Sequence, residues 1–331
     1  MKKVLLFLIF WCSLAYAQAP DSARLFISQG NTYYTTKNYP RAIEAYRKAM
    51  DLRPLQSTIP YNIACCYSLM GNHSGALEYL ARAIELGSYS FDQDEDFNNI
   101  RGTKGYKKLL TKATKLLAEA RMRNWEPVVL LPDQFDSTKA YPLLVALHGY
   151  GGEPVNFSQA FRTTCNRLGY ILCCPYAPEI QGLTAFSWGD LERSDSLAER
   201  RIMASIALMR ERYRIDTART ILCGFSQGGA LAYRMGLKHA PLFRGAVPIA
   251  GFYDTTCTAS LPRAREAGFR LYILLGQLDS DWLTASNLEA ARALMAGGIS
   301  YSLNTFAGVG HAFPGDADVE LGRAIEWIEQ K

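Results

Sequence analysis

The chain has 331 residues, enough for about two domains, and its 49% hydrophobic and 20% charged content excludes a disordered protein. Its formal charge of +5 is a weak excess, and no Lys/Arg cluster with interleaved aromatics accompanies it, which argues against nucleic acid as a partner. Glu199-Arg200-Arg201 and Arg210-Glu211-Arg212 mix both signs at helical spacing and read as a solvated helix face.

In chain order, a basic Met1-Lys2-Lys3, an apolar run from Val4 to Leu14 and a small-residue Ala15-Tyr16-Ala17 come first. This is the pattern of a signal peptide over residues 1–17, with cleavage after Ala17 lowering the net charge to +3. The apolar run falls short of the roughly 20 residues that a spanning helix needs. The expectation is a periplasmic or secreted protein with no membrane span after cleavage. Losing Cys12 leaves Cys65, Cys66, Cys165, Cys173, Cys174, Cys223 and Cys257, an odd number that cannot all pair within the chain. No C-x-x-C spacing points to metal, and Cys223, on an apolar run, reads as a small buried hydrophobe.

Phe26, Gly30, Tyr33, Ala42, Tyr46, Ala49 and Pro54 set a pattern that returns 34 residues on at Ala64, Tyr67, Ala76, Leu80 and Ala83. Small residues recur where antiparallel helices approach closely, and large apolar ones where their faces fill the gap. The segment resembles two tetratricopeptide repeats. The acidic run Phe91-Asp92-Gln93-Asp94-Glu95-Asp96-Phe97 lacks the glycine and twelfth-position glutamate of a calcium loop, and resembles the segment that closes such arrays. Leu109, Leu110, Ala113, Leu116, Leu117 and Ala120 fit a capping helix. These readings give an all-α repeat domain over residues 18–123, with a possible protein partner on its repeats, and a second domain over residues 124–331.

In the second domain, apolar runs alternate with helical patterns. Strands are expected at Val128–Leu131, Leu143–Leu147, Ile171–Cys174, Ile221–Cys223, Gly245–Ile249, Leu271–Leu275 and Tyr301–Thr305. Helices are expected near Gln159–Leu168, Asp195–Tyr213, Gln227–His239, Thr284–Ala296 and Asp318–Ile328. Continuous apolar runs bounded by turns indicate a mostly parallel sheet covered on both faces, with its chemistry in loops at the strands' carboxyl ends.

Gly224-Phe225-Ser226-Gln227-Gly228-Gly229 lies between one such strand and its helix, which is the pattern of a nucleophile elbow. A serine hydroxyl needs a base. His311, in a glycine-bearing loop after the last strand, is the candidate; His73 lies in the repeats, His148 precedes the elbow, and His239 ends the helix that starts there. For the acid, Asp279 follows the penultimate strand, Asp281 is its rival two residues on, and Asp254 is more distant. An oxyanion hole is expected from the backbone N–H groups of Gln227 and Tyr150, the latter in His148-Gly149-Tyr150-Gly151-Gly152, where His148 would brace the loop. Trp188, Trp282 and Phe313, with Tyr150 and Phe252, are candidates to line a substrate pocket.

Leu147-His148-Gly149-Tyr150-Gly151-Gly152, the elbow, Gly276-Gln277-Leu278-Asp279 and Gly308-Val309-Gly310-His311 occur in the order that resembles an α/β-hydrolase. The resemblance is to the predicted-esterase group of feruloyl esterases, polyhydroxybutyrate depolymerases and phospholipase/carboxylesterases. Ser226 argues against the dienelactone hydrolases of that group, which usually carry cysteine there. The resemblance implies hydrolysis of a carboxylic ester, small or carbohydrate-linked, through an acyl-serine intermediate with neither metal nor cofactor. Two other readings are a prolyl-oligopeptidase-type peptidase, against which the helical N-terminal module speaks, and a binding protein with an inactive hydrolase domain.

Overall fold

The computed structural model describes residues 22–123, 125–189, 197–314 and 316–330. The leader reading, Asn124 at the start of the second domain and Asp195 at the start of a helix lie outside them. The chain forms two compact units that divide between Ala113 and Thr114.

In the first unit, α1 (Ser22–Thr35), α2 (Tyr39–Leu52), α3 (Thr58–Leu69) and α4 (His73–Glu85) are two helical hairpins, followed by α5 (Lys104–Arg121), inside which the division falls. Ala42, Ala49, Ala64, Ala76 and Ala83 are wholly buried, as helices in close contact require. A Cβ on Gly30 would lie 2.4 Å from the Tyr46 ring, so the glycine makes room for that tyrosine. Tyr46 in turn donates its hydroxyl to Asn31 Oδ1 at 2.8 Å. The acidic run lies against α1 and α3: Tyr61 donates to Asp94 Oδ2 at 2.5 Å, Tyr34 donates to Asp96, and Phe97 is buried edge-on to Tyr61. The carboxylates of Asp94 and Asp96 thus engage tyrosine hydroxyls within the repeats.

The second unit carries β1 (Val128–Leu130), β2 (Tyr141–Leu147), α6 (Pro154–Gln159), α7 (Arg162–Leu168), β3 (Ile171–Cys174), β4 (Glu179–Ile180) and β5 (Phe186–Ser187). It continues with α8 (Leu197–Arg212), β6 (Ile215–Phe225), α9 (Gln227–Lys238), β7 (Gly245–Ile249), α10 (Leu261–Glu266), β8 (Arg270–Gly276), α11 (Asp281–Ala296), β9 (Ser300–Phe306) and α12 (Ala317–Glu329). Seven strands form one sheet in the order β1-β3-β2-β6-β7-β8-β9, parallel except for β1, while β4 and β5 make a separate antiparallel hairpin. The strands alternate faces with period two. Leu144, Ala146, Leu172, Cys174, Val247 and Ile249 meet Leu321, Ala324, Ile325 and Ile328 of α12 on one face. On the other, Gly236 of α9 approaches Ala246, where a Cβ would come within 3.2 Å.

The expected helix near Gln159–Leu168 is two, α6 and α7, and the β4–β5 hairpin and α10 went unforeseen. The seven cysteines of the described residues are free and buried, Cys223 completely so. Among the described residues no helix is long and apolar enough to cross a membrane.

Candidate active site

β6 ends and α9 begins around Ser226, whose backbone sits at φ 55° and ψ −115°, a region that side-chain-bearing residues rarely adopt. Crowding holds it there. A Cβ on Gly224 would lie 2.1 Å from the Gly228 carbonyl oxygen, one on Gly228 2.1 Å from that of Leu147, and one on Gly229 2.8 Å from Gly251 Cα. No larger residue fits these three positions without moving backbone. Ser226 N–H donates to the Ile249 carbonyl at 2.9 Å, and the Ser226 carbonyl accepts from Ala230 N–H at 3.0 Å, fixing the bend from both sides.

The loops after β8 and β9 are stapled together. Gln277 N–H donates to the Phe306 carbonyl at 3.0 Å and Leu278 N–H to that of Val309 at 2.8 Å. A Cβ on Gly276 would lie 2.3 Å from the carbonyl oxygens of Val309 and Gly310, so the glycine lets the last loop cross directly over it. That crossing delivers His311. Its Nδ1 lies 2.8 Å from Asp279 Oδ2 and its Nε2 lies 2.8 Å from Ser226 Oγ.

The protons in this chain follow from chemistry. An ionised carboxylate only accepts, so Nδ1 carries hydrogen, and Nε2 of the neutral ring presents its lone pair to the serine hydroxyl. The Asp279 side chain is 5% exposed against 47% for His311, so the acid is enclosed and the imidazole faces the cleft. Such an arrangement can take a proton from the hydroxyl and hold the resulting imidazolium.

The other candidates fall elsewhere. Asp281 is the exposed first residue of α11, and Ser280 caps that helix by accepting from Leu283 N–H at 3.3 Å. Asp254 pairs with Arg234 and accepts from Thr256 N–H at 2.8 Å. His239 Nε2 lies 2.9 Å from Glu199. His148 is buried, its Nδ1 donating to the Gly149 carbonyl at 2.8 Å and its Nε2 accepting from Ala177 N–H at 3.4 Å.

Of the two proposed oxyanion donors, Gln227 opens α9, where the first N–H groups have no partner within the helix. In the other loop, Gly151 N–H donates to Phe186 and Gly152 N–H to Gly149, while Tyr150 N–H has no acceptor among the described residues. A Cβ on Gly149 would lie 3.4 Å from Ser226 Cβ, which sets this loop beside the serine.

A cleft of about 280 Å³ opens on the three residues, with Gln227, Ala250, Phe252, Ser280, Trp282 and Leu283 completing its wall. A larger depression of about 630 Å³, with Phe135, Tyr213 and Arg214 in its wall, lies where β2 and β6 begin, at the opposite end of those strands from Ser226. Of the aromatics expected to line the pocket, Trp282 does so, 63% exposed and 5.4 Å from the Phe252 ring. Phe313 turns inward, stacked on Phe225 at 5.3 Å and edge-on to Phe157 and Phe161. Trp188 is 1% exposed and is not in the cleft wall, though its main-chain N–H donates to the side chain of Gln227, which is. Trp188 directly follows the β4–β5 hairpin, whose two-residue strands leave no periodic signal, and its indole lies against the His148 ring. Ala250, at φ 45°, and the side-chain amide of Gln227 are parts of the site that residue type alone did not mark.

Burial lowers the His148 pKa from 6.5 to about 4. Its folded-state value is depressed, so below 6.5 the unfolded chain takes a proton that the folded chain refuses. Stability is therefore full above pH 6.5 and declines as pH falls toward 4, by roughly 3 kcal/mol at most from this residue. Denaturant unfolding of the wild type and of His148→Asn across that range checks this: the slope should be shallower in the variant.

Residues 134–329 match the phospholipase/carboxylesterase family model, and residues 23–54 and 61–86 match the tetratricopeptide repeat. Among solved structures, an uncharacterized protein from Bacillus cereus is 18% identical with a TM-score of 0.52, the match covering 92% of this chain and 98% of that one. The esterase PE8 is 24% identical with a TM-score of 0.48, over 62% of this chain and all of its own. A ferulic acid esterase is 17% identical with a TM-score of 0.49, over 64% of this chain and 95% of its own. At 18% identity the likeness to the Bacillus cereus protein is one of fold.

Proposed function

The chain belongs to the phospholipase/carboxylesterase family of hydrolases, and from that premise we propose that it is an exported serine hydrolase cleaving carboxylic esters through an acyl-serine intermediate. The observation that carries this reading is the pair of 2.8 Å contacts linking Asp279, His311 and Ser226 at a strained elbow. On this reading His311 Nε2 takes the hydroxyl proton as Ser226 Oγ attacks the acyl carbon. Asp279 steadies the imidazolium, and the N–H groups of Gln227 and Tyr150 receive the charge on the carbonyl oxygen. The imidazolium then protonates the departing alcohol. Water, deprotonated by the same nitrogen, releases the acid and restores the serine.

Trp282 and Phe252 supply an apolar wall for one part of the ester. Export rests on the leader pattern of residues 1–17. A docking role for the repeats rests on their tetratricopeptide match, and any docking uses surface that Asp94, Asp96 and Phe97 leave uncovered.

The test is reaction of the purified protein with a fluorophosphonate, followed by mapping of the adduct, beside turnover of p-nitrophenyl acetate and of a peptide p-nitroanilide library. The expected result is one adduct, on the peptide bearing Ser226, with ester turnover well above amide turnover. An adduct elsewhere, or faster anilide cleavage, overturns the reading.

A further inference from the structure

Besides its packing against the elbow, the oxyanion loop is joined to the site by the hairpin that follows β3. Phe186 of β5 bridges it through the main chain: its carbonyl accepts from Gly151 N–H at 2.9 Å and its N–H donates to the Gly152 carbonyl at 3.1 Å. Two residues on, the Trp188 indole N–H donates to the His148 carbonyl at 2.8 Å, and the indole lies 5.1 Å from the His148 ring, tilted by 33°. The same stretch is tied to the elbow. Trp188 N–H donates to Gln227 Oε1 at 3.0 Å, and Gln227 Nε2 donates to the Gly189 carbonyl at 3.1 Å.

Three attachments thus converge on segment 186–189. One side holds the loop that carries Tyr150, and the other holds the residue after Ser226. The two N–H groups named for the oxyanion hole belong to these two pieces of chain, which are far apart in sequence and must keep a fixed separation for both to reach one oxygen. Electrostatic stabilisation of that kind depends on donors set in place before the reaction. The pairing of β2 with β6 brings the two pieces together, and Trp188 and Gln227 add one shared hydrogen bond between them. The Trp188 side chain is almost wholly buried, so it touches no substrate.

We propose that Trp188 is a positioning residue: its indole N–H and its main-chain bond to the Gln227 side chain clamp the Tyr150 loop to the elbow and hold the two oxyanion donors in register. This rests on the ester-hydrolase reading above for its consequence in catalysis, though not for the clamp itself. It also assigns Gln227 a second task, with its backbone N–H aimed at the oxyanion and its side-chain amide holding the hairpin.

The experiment uses Trp188→Phe, which keeps an aromatic ring in the buried site but removes the indole N–H, and Gln227→Met, which keeps the backbone N–H but removes both amide bonds. For each, kcat and KM for p-nitrophenyl acetate, the inhibition constant of a trifluoromethyl ketone and amide exchange across residues 148–152 are measured. Loosening rather than deleting a donor should lower kcat by about tenfold to a hundredfold. The ketone, which forms the tetrahedral adduct, should weaken by the same factor while KM stays within about twofold. A merely structural role moves neither the ketone nor kcat apart from KM. Exchange of the Gly151 amide, which donates to the Phe186 carbonyl at 2.9 Å, should quicken in both variants, and it is read without substrate. Inactivity of the wild-type protein would count against the ester reading alone, with faster exchange still supporting the clamp. Unchanged exchange, or a ketone constant that does not follow kcat in an active protein, overturns the proposal.

Discussion

Ser226→Ala is expected to lower p-nitrophenyl acetate turnover by about a millionfold and to end fluorophosphonate labelling, with thermal unfolding close to that of the wild type. The loss is large because base and acid have nothing to act on once the hydroxyl is gone. The stability is little changed because alanine keeps the Cβ and sacrifices only one hydrogen bond to a half-exposed imidazole. Ser226→Gly should be equally inactive yet more stable. At φ 55° a Cβ costs on the order of 1–3 kcal/mol, and glycine relieves it at the expense of about 0.5–1 kcal/mol of added freedom in the unfolded chain. A net gain of about 1 kcal/mol would raise Tm by roughly 2–4 °C in a domain of this size. Differential scanning calorimetry of the three proteins reads the difference. A glycine variant that melts below the alanine variant would mean that the elbow carries no such strain, and turnover near that of the wild type in either would remove Ser226 from the reaction.

The elbow was legible because its glycines report on space. Gly224, Gly228 and Gly229 stand where Cβ atoms would run into backbone, and that requirement is written in residue type. The repeats were legible for a similar reason, through small residues at a fixed period, with Ala42 and Ala76 both fully buried. Asp279 and His311 could be singled out from their order after the last two strands, because parallel strands deliver their following loops to one end of the sheet. What escaped has no counterpart in residue type. Whether an aromatic in a loop faces in or out depends on neighbours distant in sequence: Phe313 is drawn inward by Phe157, Phe161 and Phe225, whereas among the aromatic rings of the described residues Trp282 meets only Phe252 and stays exposed. Trp188 is buried against the ring of His148, 40 residues before it, and follows a hairpin too short to show alternation. The break between α6 and α7, at Ala160 and Phe161, carries neither glycine nor proline to mark it. Ala250 adopts a positive φ without being glycine, beside the close packing of Gly251 against Gly229 and with its N–H donating to the Leu274 carbonyl at 2.8 Å.

Asp279→Asn is expected to lower kcat by about ten-thousandfold with KM nearly unchanged, whereas Asp281→Asn should leave both within about twofold. Sequence alternation in an extended loop would allow either carboxylate to meet His311. The chain does not stay extended: Ser280 caps α11, so Asp281 enters the helix and its side chain leaves the direction that Asp279 occupies. Asp279 is held instead in the turn after β8, where Ser280 N–H donates to its Oδ1 at 2.8 Å, leaving Oδ2 for His311 Nδ1. An asparagine there can present its NH₂ to Nδ1. The ring would then carry its proton on Nε2, facing Ser226 with a donor where the reaction needs an acceptor. Substrate binding does not depend on that tautomer, so KM is spared. Asp281 contributes only a favourable charge in the first turn of α11, and neutralising it costs about 0.3–1 kcal/mol of stability. Steady-state kinetics of both variants separates the two carboxylates: a large loss in Asp281→Asn, or turnover retained in Asp279→Asn, would reverse the assignment and require the loop after β8 to rearrange when substrate binds.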